Sequence, residues 1–234
     1  MYKSHAKIIS AIQYDNVEEF KSALGIRSID TSLFASYFRQ HNNDIDWMAY
    51  DTVATPLWYA ASFGSINIMK YTIEKGANVN FIGHDEPILH RVCNNYEATK
   101  LLLENGATPN LAVEYMIPLL GAVEEYNIKV FDLLIEYGAN VNIETPEGDN
   151  IISLITSMLL MTKRYPQSER MFRHILSNYT IFHSVSKTKA LKYAKRYGDE
   201  EIISLLEFQS LKFIAYGSMV KNSVEVSTLF NTQL

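Results

Sequence analysis

The chain has 234 residues, 47% of them hydrophobic and 20% charged, with a net charge of −5. This composition supports an ordinary folded core, and the small negative charge argues against nucleic acid or an anionic membrane as the main partner. The single cysteine, Cys93, excludes an intrachain disulfide and agrees with a reducing compartment.

No run reaches the roughly 18 apolar residues of a membrane helix, and the opening Met1-Tyr2-Lys3-Ser4-His5 leads into an amphipathic stretch, so no secretory leader is expected. Isoleucine, asparagine, lysine and tyrosine are abundant, all residues of A/T-rich codons, which points to an AT-rich genome such as that of an intracellular bacterium or a large virus. The charge is unevenly placed. Residues 1–150 hold 10 Lys/Arg against 20 Asp/Glu, and the remainder holds 11 against 6.

Residues 6–24 read as two short helices, the first marked by Ile8, Ile9 and Ile12, the second by Val17, Phe20 and Leu24. Asp15 with Glu18 three residues on has the spacing of a helix-start capping pair. Residues 25–53 are too long for a simple turn. Leu33, Phe34, Tyr37 and Phe38 have helical spacing there, which predicts an inserted helix over 31–41, followed by a turn at Asn42-Asn43-Asp44.

Thr55 then suits a helix N-cap and Pro56 the first helical position, where its missing N–H costs nothing. Leu57, Ala60 and Ala61 give the helix an apolar face, and Gly64 ends it. Ile66, Met69 and Ile73 predict a second amphipathic helix, closed by Gly76. Two such helices cannot bury their faces alone and must stack on copies of themselves. The copies follow. Ile88-Leu89-His90 precedes Gly106-Ala107, and Pro118-Leu119-Leu120 precedes Gly138-Ala139; Leu57, Leu89 and Leu119 are equivalent, at steps of 32 and 30 residues. The second copy lacks two residues between Cys93 and Leu101.

After Asn142, Thr145 to Asn150 has the look of a turn preceding a helix, and Ile151, Ile152, Leu154 and Ile155 continue the pattern. Pro166 predicts an enlarged loop before a helix carrying Met171, Phe172, Ile175 and Leu176. Ala190, Leu191 and Ala194 begin a further unit that ends with Ile202, Ile203, Leu205 and Leu206. Residues 208–217 are a candidate capping helix, and those from Met219 onward have no clear period.

Thr55-Pro56-Leu57-Trp58-Tyr59-Ala60 with Gly76-Ala77-Asn78-Val79-Asn80, repeated in phase three times, resembles the ankyrin repeat, whose first helix starts Thr-Pro-Leu-His-x-Ala. The resemblance implies an all-α ankyrin-repeat solenoid of about six helix-turn-helix units, with degenerate terminal repeats and the inserted helix. The expected division is a capping unit at 1–25, the insertion at 26–53, repeats at 54–82, 83–112 and 113–144, degenerate repeats at 145–180 and 181–208, and a capping helix and tail at 209–234.

Little in the chain suggests chemistry. His90 and Cys93 lie three apart on one helix, but His90 stands where ankyrin repeats carry a histidine bonded to neighbouring backbone, and Cys93 falls at the small buried position. His5, His41, His84, His174 and His183 have no metal-ligand spacing, and no Gly-rich phosphate loop is present. No catalytic residue, cofactor or metal is expected. Lys187, Lys189, Lys192, Lys195 and Arg196, with Tyr193 and Tyr197 interleaved and Lys192, Lys195 and Arg196 on one helix face, are the feature that favours a nucleic-acid binder.

The resemblance implies recognition of another protein over a concave surface of turn tips and first helices. Phe63, Phe81, His84, Asp85, Glu114, Tyr115, Met116, Glu124, Glu125, Glu147 and Asp149 fall at such positions. They are acidic with embedded aromatics, which implies a partner with a basic surface. A monomeric, cytoplasmic or otherwise intracellular scaffold or adaptor is the expectation, delivered into a host cell if the codon bias reflects such a source. The alternatives are an enzyme with an unrecognised site in the degenerate C-terminal half, and a nucleic-acid binder using the basic C-terminal repeat.

Overall fold

The computed structural model describes residues 2–36, 40–41, 44–45, 51–145, 147–161, 165–178 and 184–207. The chain divides into two compact units, residues 1–140 and 141–234.

In the first unit, four helix pairs follow one another: α1 (Tyr2–Gln13) with α2 (Val17–Leu24), α3 (Pro56–Phe63) with α4 (Ile66–Glu74), α5 (Ile88–Arg91) with α6 (Tyr96–Glu104), and α7 (Pro118–Glu124) with α8 (Ile128–Glu136). First helices stack in the order α1, α3, α5, α7, and second helices in the order α2, α4, α6, α8. The core therefore runs as a continuous layer between two columns. Ile12, Leu57, Ala60, Leu89, Leu119 and Ala122 fill it from the first helices, Val92 from the turn after α5, and Phe20, Ile68, Met69, Leu102, Phe131 and Leu134 from the second helices. Each fully buried leucine contributes roughly 1.5–3 kcal/mol. The apolar face of α4 is Ile68, Met69 and Thr72, with Ile66 and Ile73 only half-buried, so it sits rotated from the predicted stripe.

Local chemistry starts each helix. Thr55 Oγ1 accepts the Trp58 N–H at 3.3 Å with Pro56 at the first position, as the sequence implies. Asn95 and Asn127 cap α6 and α8 through Ala98 and Val130. From Leu57 to the cap position Ser65 is eight residues, and from Leu119 to Asn127 also eight, but from Leu89 to Asn95 only six. The two missing residues come out of the first helix, since α5 has 4 residues where α3 has 8.

The first turn departs from the predicted capping pair. Asn16, not Asp15, caps α2 by accepting the Glu19 N–H at 3.1 Å. Asp15 instead reaches the next repeat, where its carboxylate accepts the Asn67 N–H at 3.2 Å and the Ile68 N–H at 2.9 Å. Ser65, at the cap position of α4, makes no capping bond and donates to the Ile12 carbonyl at 2.5 Å. The turn side chain of one repeat thus caps the helix of the following one. A similar link recurs at the other turns: Asp30 accepts the Asn78 N–H, Asn80 the Thr108 N–H, and Asn110 the Asn140 N–H.

The inserted helix over 31–41 is not found. Leu33–Ser36 is a strand, β1, and Gln40–His41 and Asp44–Ile45 are strands β2 and β3 that pair with each other. β1 pairs antiparallel with β4 (Asp51–Ala54), in the register Leu33↔Ala54. The long-range ladder satisfies backbone groups that a short uncapped helix would leave open, and it buries Leu33 against α1. Tyr37, Phe38, Arg39 and the turn at Asn42-Asn43 lie outside the described residues. A third ladder joins β5 (Ile82–Gly83) to β6 (Glu86–Pro87).

In the second unit, α9 (Ile151–Met161) packs on α10 (Pro166–Asn178) and α11 (Ser184–Tyr197). A further helix, α12, spans 200–207, and Asp199 caps it through the Ile202 N–H. Pro166, expected in a loop, opens α10, the position where its missing N–H is harmless. Ile151, Ile155, Phe172, Ile175, Ala190, Ala194 and Leu206 are buried. The candidate capping helix at 208–217 and the tail beyond it lie outside the described residues.

The Asp15 link makes a specific prediction. Asp15→Ala is expected to lower stability by about 1–2 kcal/mol, the usual scale for a lost cap. Glu18→Ala removes only an exposed pair with Lys21 at 2.7 Å and is expected to cost under about 0.5 kcal/mol. Denaturant unfolding of both variants checks the difference; equal losses would remove Asp15 from its linking role.

Candidate functional site

The β5–β6 ladder places His84 and Asp85 at the tip of a tight hairpin, both with left-handed φ, 54° and 59°. Positive φ at both central residues is the geometry that matches strand twist in two-residue turns. Gly83 lies against the first helix of the preceding pair: a Cβ there would stand 2.7 Å from Trp58 Nε1. The hairpin therefore closes down on Trp58. The His84 ring sits 5.0 Å from the indole, and the Arg91 guanidinium lies 5.4 Å from its ring centre. The next tip is a smaller bridge, Val113↔Met116, with Glu114 at φ 50° and Tyr115 and Met116 exposed.

Beside these tips, the C-terminal ends of α3, α5 and α7 enclose an open groove of about 980 Å³. Of the predicted contact residues it brings together Phe63, Met116, Glu124 and Glu125. Phe81, His84, Asp85, Glu114 and Tyr115 stand on the hairpins and do not line it. Glu147 and Asp149 belong to the second unit. There the Asp149 carboxylate pairs with Lys189 at 2.7 Å and accepts the Ser153 hydroxyl at 2.8 Å, and the Glu147 carbonyl accepts from Lys189 at 2.9 Å.

The groove also holds residues that the sequence reading did not assign to a site. His90 Nδ1 lies 2.8 Å from Glu86 Oε1, so this histidine bonds a carboxylate and not the neighbouring backbone. Glu86 Oε2 lies 3.5 Å from Arg91, which in turn donates to Ser62. The other ring nitrogen, His90 Nε2, is buried and has no hydrogen-bond partner among the described residues. It faces Gly121, where an added Cβ would stand 3.1 Å away. The readable signal was the four-residue Glu86–His90 spacing, combined with a glycine where the other repeats carry Tyr59 and Arg91. Partial burial raises the pKa of Glu124 above its ordinary value; His90 opposes the shift, while Glu125 and Glu86 add to it.

The family model for ankyrin repeats (3 copies) matches residues 11–113. A putative ankyrin repeat protein of Rickettsia felis is 30% identical over 158 residues, which cover 56% of this chain and 69% of that protein. The chain belongs to the ankyrin repeat family. A putative ankyrin repeat protein of Acanthamoeba polyphaga mimivirus is 33% identical over 122 residues, 50% of this chain and 15% of that protein. Phosphocholine transferase AnkX of Legionella pneumophila is 30% identical over 151 residues, 58% of this chain and again 15% of that protein. This ankyrin chain thus spans a small part of the mimivirus and Legionella relatives. Ankyrin repeats are generally protein–protein interaction modules.

Cys93 is buried in the ankyrin stack beneath the groove, its thiol within 3.2 Å of the Leu89 carbonyl and 3.1 Å of the Pro118 carbonyl. Burial pushes its pKa far up, and Glu125, Glu86 and Glu124 push in the same direction. It therefore lacks the thiolate character of a nucleophile. Among the described residues no cluster of His, Cys, Asp and Glu is arranged to hold a metal ion, and no helix is long and apolar enough to cross a membrane.

Two outcomes follow from these environments. In the native protein Cys93 is expected to react with an aromatic disulfide reagent only as fast as the repeats open, and at the rate of a free thiol once denaturant unfolds the chain; immediate native labelling would contradict its burial. For Glu124, a raised native pKa means the folded state holds the proton more tightly than the unfolded one. Stability is then fully present below the ordinary value of 4.5 and is lost as pH rises through the native value. Glu124→Gln should melt above the wild type at pH 7 and together with it near pH 4, by scanning calorimetry.

Proposed function

We propose that this chain is a protein-recognition module without catalysis of its own. In this reading a partner with a basic surface docks over the hairpin tips and first helices from Phe63 to Glu125. The observation that carries the reading is the groove of about 980 Å³, in which Glu86, Glu124 and Glu125 lie with Phe63 and Met116. Acidic groups around exposed apolar anchors speed association with a cationic surface, and desolvated contacts then hold the complex. Tyr115, 44% exposed beside Met116, is the anchor assigned to the rim. Glu147 and Asp149 are assigned to a second acidic patch. The module acts as a monomer inside a cell, and the relatives from Rickettsia felis, Legionella pneumophila and a mimivirus support a role directed at a host.

The test is kinetic. A protein captured on the immobilised chain is measured by surface plasmon resonance against variants. Glu124→Lys with Glu125→Lys is expected to slow association and flatten its salt dependence. Tyr115→Ala is expected to speed dissociation by an amount equivalent to about 1–3 kcal/mol. Unchanged rates in both, with binding lost instead on Lys192→Glu/Arg196→Glu, would move the site to the basic face of α11.

A further inference from the structure

We propose that the groove takes an arginine side chain of the partner, its guanidinium bridging the Glu124 carboxylate and His90 Nε2; this inference rests on the protein-recognition reading. Two independent observations meet at one place. One is electrostatic. Of the carboxylates in the groove, Glu86 is already occupied, by His90 at 2.8 Å and Arg91 at 3.5 Å. Among the described residues, no lysine or arginine pairs with Glu124, which lies in the field of two further carboxylates. A permanently charged cation beside Glu124 is the group that this arrangement lacks.

The other observation concerns a single buried atom. The His90 side chain is only 10% exposed, and its Nε2 has no partner. In the neutral tautomer that donates Nδ1–H to Glu86, Nε2 carries the lone pair and is the acceptor that a ligand donor would meet. A buried ring nitrogen left unpaired destabilises the free protein. A side chain at Gly121 would crowd this nitrogen, standing 3.1 Å away as a bare Cβ. The glycine keeps open the space through which a donor reaches it, and both Gly121 and His90 line the groove.

The ligand group must therefore be positively charged and offer more than one N–H in a fixed spread. Guanidinium has five donors in a planar fork and is always charged, so it can give one N–H to the carboxylate and another to the imidazole. Lysine concentrates its charge at one point on a strongly hydrated ammonium and is less suited to two acceptors of different kinds.

The experiment needs no partner. N-acetyl-arginine amide is titrated into the full isotope-labelled chain, and the His90 side-chain nitrogens and the Gly121 amide are followed by NMR. Saturable shifts are expected at both, with a Kd on the order of millimolar. N-acetyl-lysine amide should bind at least about threefold more weakly, and the neutral citrulline amide should give no saturable shift. Glu124→Gln should weaken arginine binding about fivefold or more, while Glu104→Gln, away from the groove, leaves it unchanged within about twofold. Absence of a saturable shift at His90, equal binding of lysine or citrulline amide, or indifference to Glu124→Gln would each overturn the proposal. Those failures would leave recognition of a protein partner standing, since the rate measurements on the captured partner test it separately.

Discussion

A helix pair of this family is one layer thick and exposes its apolar face on both sides, so no pair in residues 1–140 can be stable by itself. Burial of Leu57, Leu89 and Leu119 becomes favourable only when the next pair is present at the right height and rotation. The hydrophobic layer supplies the driving force but is non-directional. Register comes from polar links between consecutive turns: Asp15 to the start of α4, Asn127 to the carbonyls of Cys93 and Asn94, and the series Asp30, Asn80 and Asn110 along the fingers. These bonds have fixed length and direction, so they select one stacking among the many that would bury the same area.

The links lie at the turns, and beside them the ends of the first helices line the groove. Tyr115 and Met116 are exposed on a bridge that carries no core residue, and Glu124 and Glu125 stand where α7 ends. Shortening α5 by a turn relative to α3 places Asn94 and Asn95 on the groove wall instead of a continued helix. The groove is thus a by-product of repeat geometry, lined mostly by residues that stand outside the buried layer.

What was legible in the sequence was local. Thr55-Pro56 announces a helix start because the cap, the missing N–H and the following apolar face all lie within six residues. The equivalent leucines announce repetition because each repeat must present the same face. What was illegible depends on partners far along the chain. Asp15 looks like a cap for the helix beside it, yet its bonds go to residues 52 and 53 positions away. Leu33 and Phe34 have a spacing that suits helix and strand alike, and only the pairing with Ala54 and Val53 decides between them. The acidic face was readable residue by residue at Glu124 and Glu125. The pairing of His90 with Glu86, and the room left at Gly121, required the neighbouring repeat to be in place.

The distribution of unsatisfied polar groups bears on why the groove has its composition. Elsewhere in the first unit buried hydroxyls are well provided for: Thr72 donates within 2.9 Å to the carbonyls of Ile68 and Met69, and Thr99 reaches those of Val92 and Asn95. His90 Nε2 and Trp58 Nε1 are the buried side-chain atoms of this unit without partners among the described residues, and Glu124 is a carboxylate that folding would rather keep protonated. A leucine at position 90, as at position 120, would serve the stack without an orphaned nitrogen. Local inconsistency of this kind is tolerated where binding, not folding, repays it. A ligand that donates to His90 and neutralises Glu124 removes two costs already present in the free protein, so part of its affinity comes from relieving the groove, with no need for a large contact area.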